Sequence, residues 1–173
     1  MNTQEWLNKV LTDPEYKIHW LKRQFIGEVT AADRIYKLAS ACPIPKFKKV
    51  LLKIASDELQ HSLWVLDLLE NRDIPIPQIE SPEDRYWKVI LDDADSFDKT
   101  AAAGYHAEHM RLVRIRALAD CTKIDDDIRY VFKKILPDEE FHEKAFALMA
   151  SNKAIQEMAK NHEAGLELLG LEI

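Results

Sequence analysis

The chain predicts an all-α fold: a four-helix bundle with one long crossover between its second and third helices, plus an additional C-terminal helix. Three observations carry this. Only four Gly occur in 173 residues, and Ala, Leu, Glu, Lys and Asp dominate, as in helical proteins. Apolar residues recur at intervals of three and four in four long segments. The connections between those segments run short, long, short, so the helices pair as two antiparallel hairpins joined by one crossing.

The first bundle helix spans roughly Pro14 to Ala41 and is stopped by Cys42-Pro43-Ile44-Pro45. Its stripe is Leu21, Phe25, Glu28, Ala32, Ile35 and Leu38, with Glu28 the charged interruption. The second, Pro45 to Asn71, carries Phe47, Val50, Leu51, Ile54, Glu58, His61, Val65, Leu68 and Leu69, so Glu58 and His61 occupy core-facing slots. The crossover, Arg72 to Asp95, opens with the extended Asp73-Ile74-Pro75-Ile76-Pro77. It then starts a short helix at Ser81-Pro82-Glu83-Asp84, with Ser as N-cap and Pro at the first helical position. The third bundle helix, Phe97 to Asp120, shows Ala101, Tyr105, Glu108, Leu112, Ile115 and Ala119, interrupted by Glu108. The fourth follows the acidic start Asp125-Asp126-Asp127, which suits a helix N-terminus. It carries Val131, Ile135, Glu139, His142, Phe146 and Met149, and Pro137 is expected to kink it. Ser151 to Ile173 reads as one more amphipathic helix, docked on the bundle or on a partner subunit.

A chain of 173 residues that is 47% hydrophobic suits one domain, residues 1–173, with the core bundle over about 14–150. Met1-Asn2-Thr3-Gln4-Glu5-Trp6 is no basic leader, and no segment is apolar enough to cross a membrane, so a cytoplasmic protein is expected. Cys42 and Cys121 sit in no C-x-x-C and read as buried thiols; two cysteines cannot build a rubredoxin-type iron site, which needs four. The net charge of −6 is spread along the chain without a basic run, so neither nucleic acid nor a membrane is an expected partner.

One pattern occurs twice. Lys53-Ile54-Ala55-Ser56-Asp57-Glu58-Leu59-Gln60-His61 and Lys134-Ile135-Leu136-Pro137-Asp138-Glu139-Glu140-Phe141-His142 share K-I-x-x-D-E-x-x-H. A Glu and a His three residues apart leave the same side of adjacent turns and can reach one metal ion together. Random placement of 15 Glu and 6 His gives about 0.5 such pairs, and the shared Lys-Ile and Asp make the second copy harder still to obtain by accident. The halves also echo elsewhere, since Arg34-Ile35 follows Glu28 as Arg114-Ile115 follows Glu108. Taken singly, Glu28 or Glu108 would read as a solvated side chain. In joint register, four carboxylates and two imidazoles project into one core at mid-length. Such a cluster requires cations, because an unpaired buried carboxylate costs several kcal/mol and neighbouring ones repel. Two divalent ions would neutralise four Glu, and mixed oxygen and nitrogen donors suit iron or manganese.

One Glu from each of two helices and a Glu-x-x-His from each of the other two, on a bundle with one long crossover, resembles the ferritin-like di-iron carboxylate superfamily. The resemblance covers roughly residues 14 to 150, with all six ligand positions filled. It implies that Glu58 and Glu139 bridge two metals, that Glu28 and Glu108 are terminal carboxylates, and that His61 and His142 bind one metal each. Asp57 and Asp138 resemble the family's acids that orient the His of the opposite helix. Tyr105, one turn before Glu108, could donate a hydrogen bond or an electron to the site, though core packing is the commoner role. His19, His106, His109 and His162 read as surface residues, and Trp64 as packing.

The resemblance implies two metal ions, iron or manganese or both, and two-electron chemistry with dioxygen or peroxide. No subfamily fits cleanly. Peroxide-reducing rubrerythrins typically carry a further Glu where this chain has Arg111. Bacterioferritins carry a haem-binding Met where it has Leu59, so no haem is expected. The large bacterial monooxygenases carry an Arg at the places of Gln60 and Phe141. The first functional expectation is therefore a di-iron oxidoreductase that activates dioxygen to oxidise or hydroxylate a small molecule. It would take electrons from an external donor and act as a homodimer. The alternatives are a ferroxidase or iron-handling protein, and a rubrerythrin-like or catalase-like protein that removes peroxide.

Overall fold

The computed structural model describes residues 1–79 and 85–172. Among these the chain forms seven helices and no strand. The first, α1 (Thr3–Thr12), was not anticipated from the sequence. Asn2 and Glu5 form a reciprocal capping box at its start, and Trp6, Leu7 and Val10 bury one face. Trp6 meets Trp20 edge-on at 5.7 Å and so fixes α1 against the next helix.

The bundle proper is α2 (Pro14–Ala41), α3 (Pro45–Glu70), α5 (Phe97–Asp120) and α6 (Asp126–Met149), within a residue or two of the expected bounds. Asp13 accepts from the amide of Tyr16, and Pro14 takes the first position, where a missing N–H costs nothing. Ser96 caps α5 by accepting from Lys99. α6 runs through Pro137 as one helix, although that residue lacks the amide that would bond the carbonyl of Lys133. The most extensive helix contacts are α2 with α3 and α5 with α6, the two hairpins; α3 with α6 joins the halves.

The crossover contributes α4 (Arg85–Ile90), while the expected start at Ser81-Pro82-Glu83-Asp84 lies outside the described residues. α7 (Asn152–Leu169), capped by Ser151, lies against α4 and α5. His162 on α7 corrects its surface assignment: it is 9% exposed and hydrogen-bonded at Nδ1 to the Tyr86 hydroxyl at 2.7 Å. Its ring also stacks on His106 at 4.8 Å, and His106 is half-buried rather than exposed. The approach of α7 to α4 needs Gly165, because a Cβ there would stand 2.6 Å from the Tyr86 ring. Cys42 is buried and Cys121 half-buried, both as thiols.

Two apolar clusters fill the bundle. One holds Leu21, Phe25, Val65, Leu68, Ile115, Phe132 and Ile135; the other holds Ile35, Leu51, Ile54, Ala101, Phe146 and Met149. On every bundle helix a Glu lies between the members of the two clusters: Glu28, Glu58, Glu108 and Glu139. The polar layer is thus sealed at both ends by hydrocarbon.

Candidate metal centre

The side chains of this layer are withdrawn from solvent: Glu28, Glu58, His61, Glu139 and His142 are 0% exposed and Glu108 is 4% exposed. Each is aimed inward by the stripe of its own helix. On α3 and α6 the spacing of three places Glu beside His on consecutive turns. Their ligand atoms form two groups, Glu28, Glu58, His61 and Glu139, and Glu58, Glu108, Glu139 and His142. Within each group these atoms lie no more than 4.8 Å apart, and Glu58 and Glu139 belong to both. The structure therefore brings together all six residues singled out from the sequence.

The imidazoles are held from behind. His61 Nε2 lies 3.2 Å from Asp138 on α6, and His142 Nε2 lies 3.3 Å from Asp57 on α3. Each Asp thus serves the His of the opposite helix, which turns both Nδ1 atoms towards the carboxylates. His61 Nδ1 stands 3.5 Å from Glu139, and His142 Nδ1 stands 3.2 Å from Glu58. These are ionic distances without hydrogen-bond geometry. Nδ1 of both histidines and one oxygen each of Glu108 and Glu139 are buried without a hydrogen-bond partner. Buried polar atoms in that condition are costly. Unsatisfied oxygen and nitrogen donors that converge from four helices fit divalent metal ions.

Tyr105 takes the packing role, half-buried against the apolar cluster that holds Ile35, Ile54 and Phe146, whereas Arg111, expected only as a departure from a family pattern, joins the layer. Tyr105 stacks on His109 at 6.0 Å and meets His106 edge-on at 5.4 Å; among the described residues no hydrogen bond joins it to the six. Arg111, one turn after Glu108, sends its guanidinium into the layer. One terminal nitrogen lies 2.5 Å from Glu28 and 3.2 Å from Glu139, and the other lies 3.3 Å from Glu58 and 3.9 Å from Glu108. Gln24 was also missed; its amide donates to the second oxygen of Glu28. The signal for both was helical spacing, three residues from Glu108 and four from Glu28.

Electrostatics divide the carboxylates. Burial pushes Glu28 up to about 8, against the pull of Arg111. Burial, reinforced by the charge of Glu139, holds Glu108 well above the usual carboxylate range. At Glu58 burial also opposes ionisation, but Arg111 and His142 outweigh it and the group falls to about 2. Glu139 likewise is buried, yet Arg111, His142 and His61 hold it well below the ordinary range. Burial would lower both imidazoles, but the adjoining carboxylates raise His61 to about 9 and His142 to about 11. A metal ion entering the layer would have to displace the protons that Glu28, Glu108 and the two imidazoles hold.

The two halves are not equivalent. Lys53 pairs with Asp57 at 2.6 Å, whereas its counterpart Lys134 places its ammonium 3.8 Å over the Trp64 ring, and that ring in turn lies against His61. Asp57 is consequently the better shielded of the orienting acids, with 15% of its side chain exposed against 35% for Asp138.

A family model described as Rubrerythrin matches residues 19–150, the span that holds all six cluster residues. Neither a curated protein nor a solved structure matches the chain.

Proposed function

The chain belongs to the rubrerythrin family, and from that premise we propose that it is a dinuclear-iron oxidoreductase that reduces dioxygen with electrons from a separate donor and oxidises a small molecule. The observation that carries this reading is the pair of overlapping ligand groups that share Glu58 and Glu139. Glu28 and His61 would complete one metal position, and Glu108 and His142 the other. Two iron ions held in this way would supply two-electron exchange with dioxygen or peroxide.

The protein's own residues set the conditions. Asp138 and Asp57 hold the histidines at Nε2 and leave Nδ1 to face the layer. The apolar clusters above and below exclude bulk water, which strengthens each charge interaction inside. With the six residues at most 4% exposed, the oxidant that reaches them is small, of the size of dioxygen or peroxide. The family match supports peroxide as a second oxidant.

Anaerobic Fe(II) loading tests the centre first. About two equivalents per chain are expected, falling below about one in Glu58→Ala and Glu139→Ala, and unchanged loading in those variants refutes the site. Rapid mixing of the loaded protein with dioxygen or hydrogen peroxide then separates the oxidants. Iron taken up far beyond two equivalents as mineral would instead establish an iron-storing protein.

A further inference from the structure

Four buried carboxylates attract any cation that reaches them, and the structure shows one from the chain itself. The guanidinium of Arg111 spans both ligand groups. One nitrogen lies on Glu28 and Glu139 and the other on Glu58 and Glu108, so both residues shared by the groups are engaged. Its side chain is 22% exposed, while the carboxylates it touches are at most 5% exposed, so the arginine is the one of these groups with a face towards solvent.

We propose that Arg111 is a competing internal counter-cation: it occupies the carboxylate oxygens that would bind metal and must withdraw towards its exposed end for two divalent ions to be held. The inference rests on the dinuclear reading above. Its physical basis is that a carboxylate oxygen directed at a guanidinium N–H cannot at the same moment direct that lone pair at a metal. A planar fork with five donors spreads its charge over two terminal nitrogens and can span carboxylates on opposite sides of the layer, a reach that the single nitrogen of a lysine lacks. Arg111 thereby stabilises the protein without metal and weakens its hold on metal. A residue needed only for the fold would lower stability and metal affinity together.

The opposite signs make the test. Arg111→Gln and wild type are compared by Mn(II) titration, with free Mn(II) read by electron paramagnetic resonance, and by thermal unfolding of the metal-free proteins. Arg111→Gln is expected to bind Mn(II) about tenfold more tightly or better, because an opposing charge is gone. Its metal-free form is expected to unfold about 5 °C lower or more, because buried carboxylates lose their partner. Equal or weaker Mn(II) binding by Arg111→Gln, with wild type binding about two equivalents, overturns the inference and leaves the dinuclear reading intact. Failure of both proteins to bind Mn(II) overturns the two together. Should Arg111→Gln not fold, side-chain NMR of wild type decides. Hydrogen exchange at the Arg111 guanidinium is expected to quicken about tenfold or more as Zn(II) is added, and unchanged exchange on a metal-loaded protein overturns the proposal.

Discussion

At the scale of single residues, the centre depends on pairs whose members sit on different helices. Asp138 and His61 show this plainly. The acid fixes which imidazole nitrogen carries the outward proton, and so which one faces the carboxylates. Asp138→Ala is expected to weaken Mn(II) binding by about tenfold, with the helical content unchanged, as read by titration and circular dichroism. Unaltered affinity would mean that packing, rather than the acid, aims the ring. The predicted direction is opposite to that for Arg111→Gln, so the two substitutions together separate an orienting contact from a competing one. The orienting acids were expected from the family resemblance, which matches Asp57 and Asp138, and not from spacing alone. Arg111 was not legible as a member of the cluster. A guanidinium sits at the end of a long flexible stem, so its spacing from Glu108 says which face it leaves but not how far inward it reaches.

The elements around the bundle are held by local chemistry that periodicity only partly reveals. α7 is the clearest case. Burial, with the charge of His106 and His109 on α5 adding to it, pushes the His162 imidazole down to about 4, so the ring is neutral at physiological pH while Nδ1 shares a hydrogen bond with the Tyr86 hydroxyl on α4. A folded-state value below the ordinary 6.5 means that the unfolded chain binds more protons between pH 4 and 6.5. Its contribution to stability is therefore complete above pH 6.5 and declines as pH falls towards 4, by up to about 1.4 kcal/mol per unit. Denaturant unfolding of wild type and His162→Gln from pH 7.5 to 4.5 is expected to show wild type losing stability faster over that window. Parallel curves would remove His162 as the titrating group. The sequence suggested an exposed histidine because a short amphipathic tail carries no sign of what will cover it. α1 was overlooked for a related reason: its apolar stripe spans under three turns, and only the Asn2 and Glu5 capping box announced it.

For the whole molecule, α3 and α6 each expose several large apolar side chains. Leu52, Leu59 and Leu63 form one stripe, and Tyr130, Phe141 and Leu148 another, each 43% or more exposed. The two helices are in contact, so the stripes belong to neighbouring elements. Where such stripes adjoin, exposed apolar surface favours association. A homodimer formed through this face is expected, and Leu63→Glu with Leu148→Glu should shift sedimentation towards monomer while metal loading is preserved. A wild type that sediments as monomer would rule the dimer out. No helix among the described residues is long and apolar enough to cross a membrane.

The sequence by itself determined the bundle, its pairing into hairpins, and the register of Glu28, Glu58, His61, Glu108, Glu139 and His142. Helical periodicity is a local property, and a polar residue that breaks an apolar stripe at the same depth on four helices has only one place to go. The tertiary structure decided what periodicity cannot encode. It decided how closely the two groups overlap through Glu58 and Glu139, that α7 is sealed by His162 and Tyr86, and that Tyr105 packs against the apolar cluster beside His106 and His109. Above all, it decided that Arg111 reaches four carboxylates borne on four different helices. Contacts of that kind depend on the distance between elements far apart in the chain, and that distance is set only when both apolar clusters have closed around the charged layer.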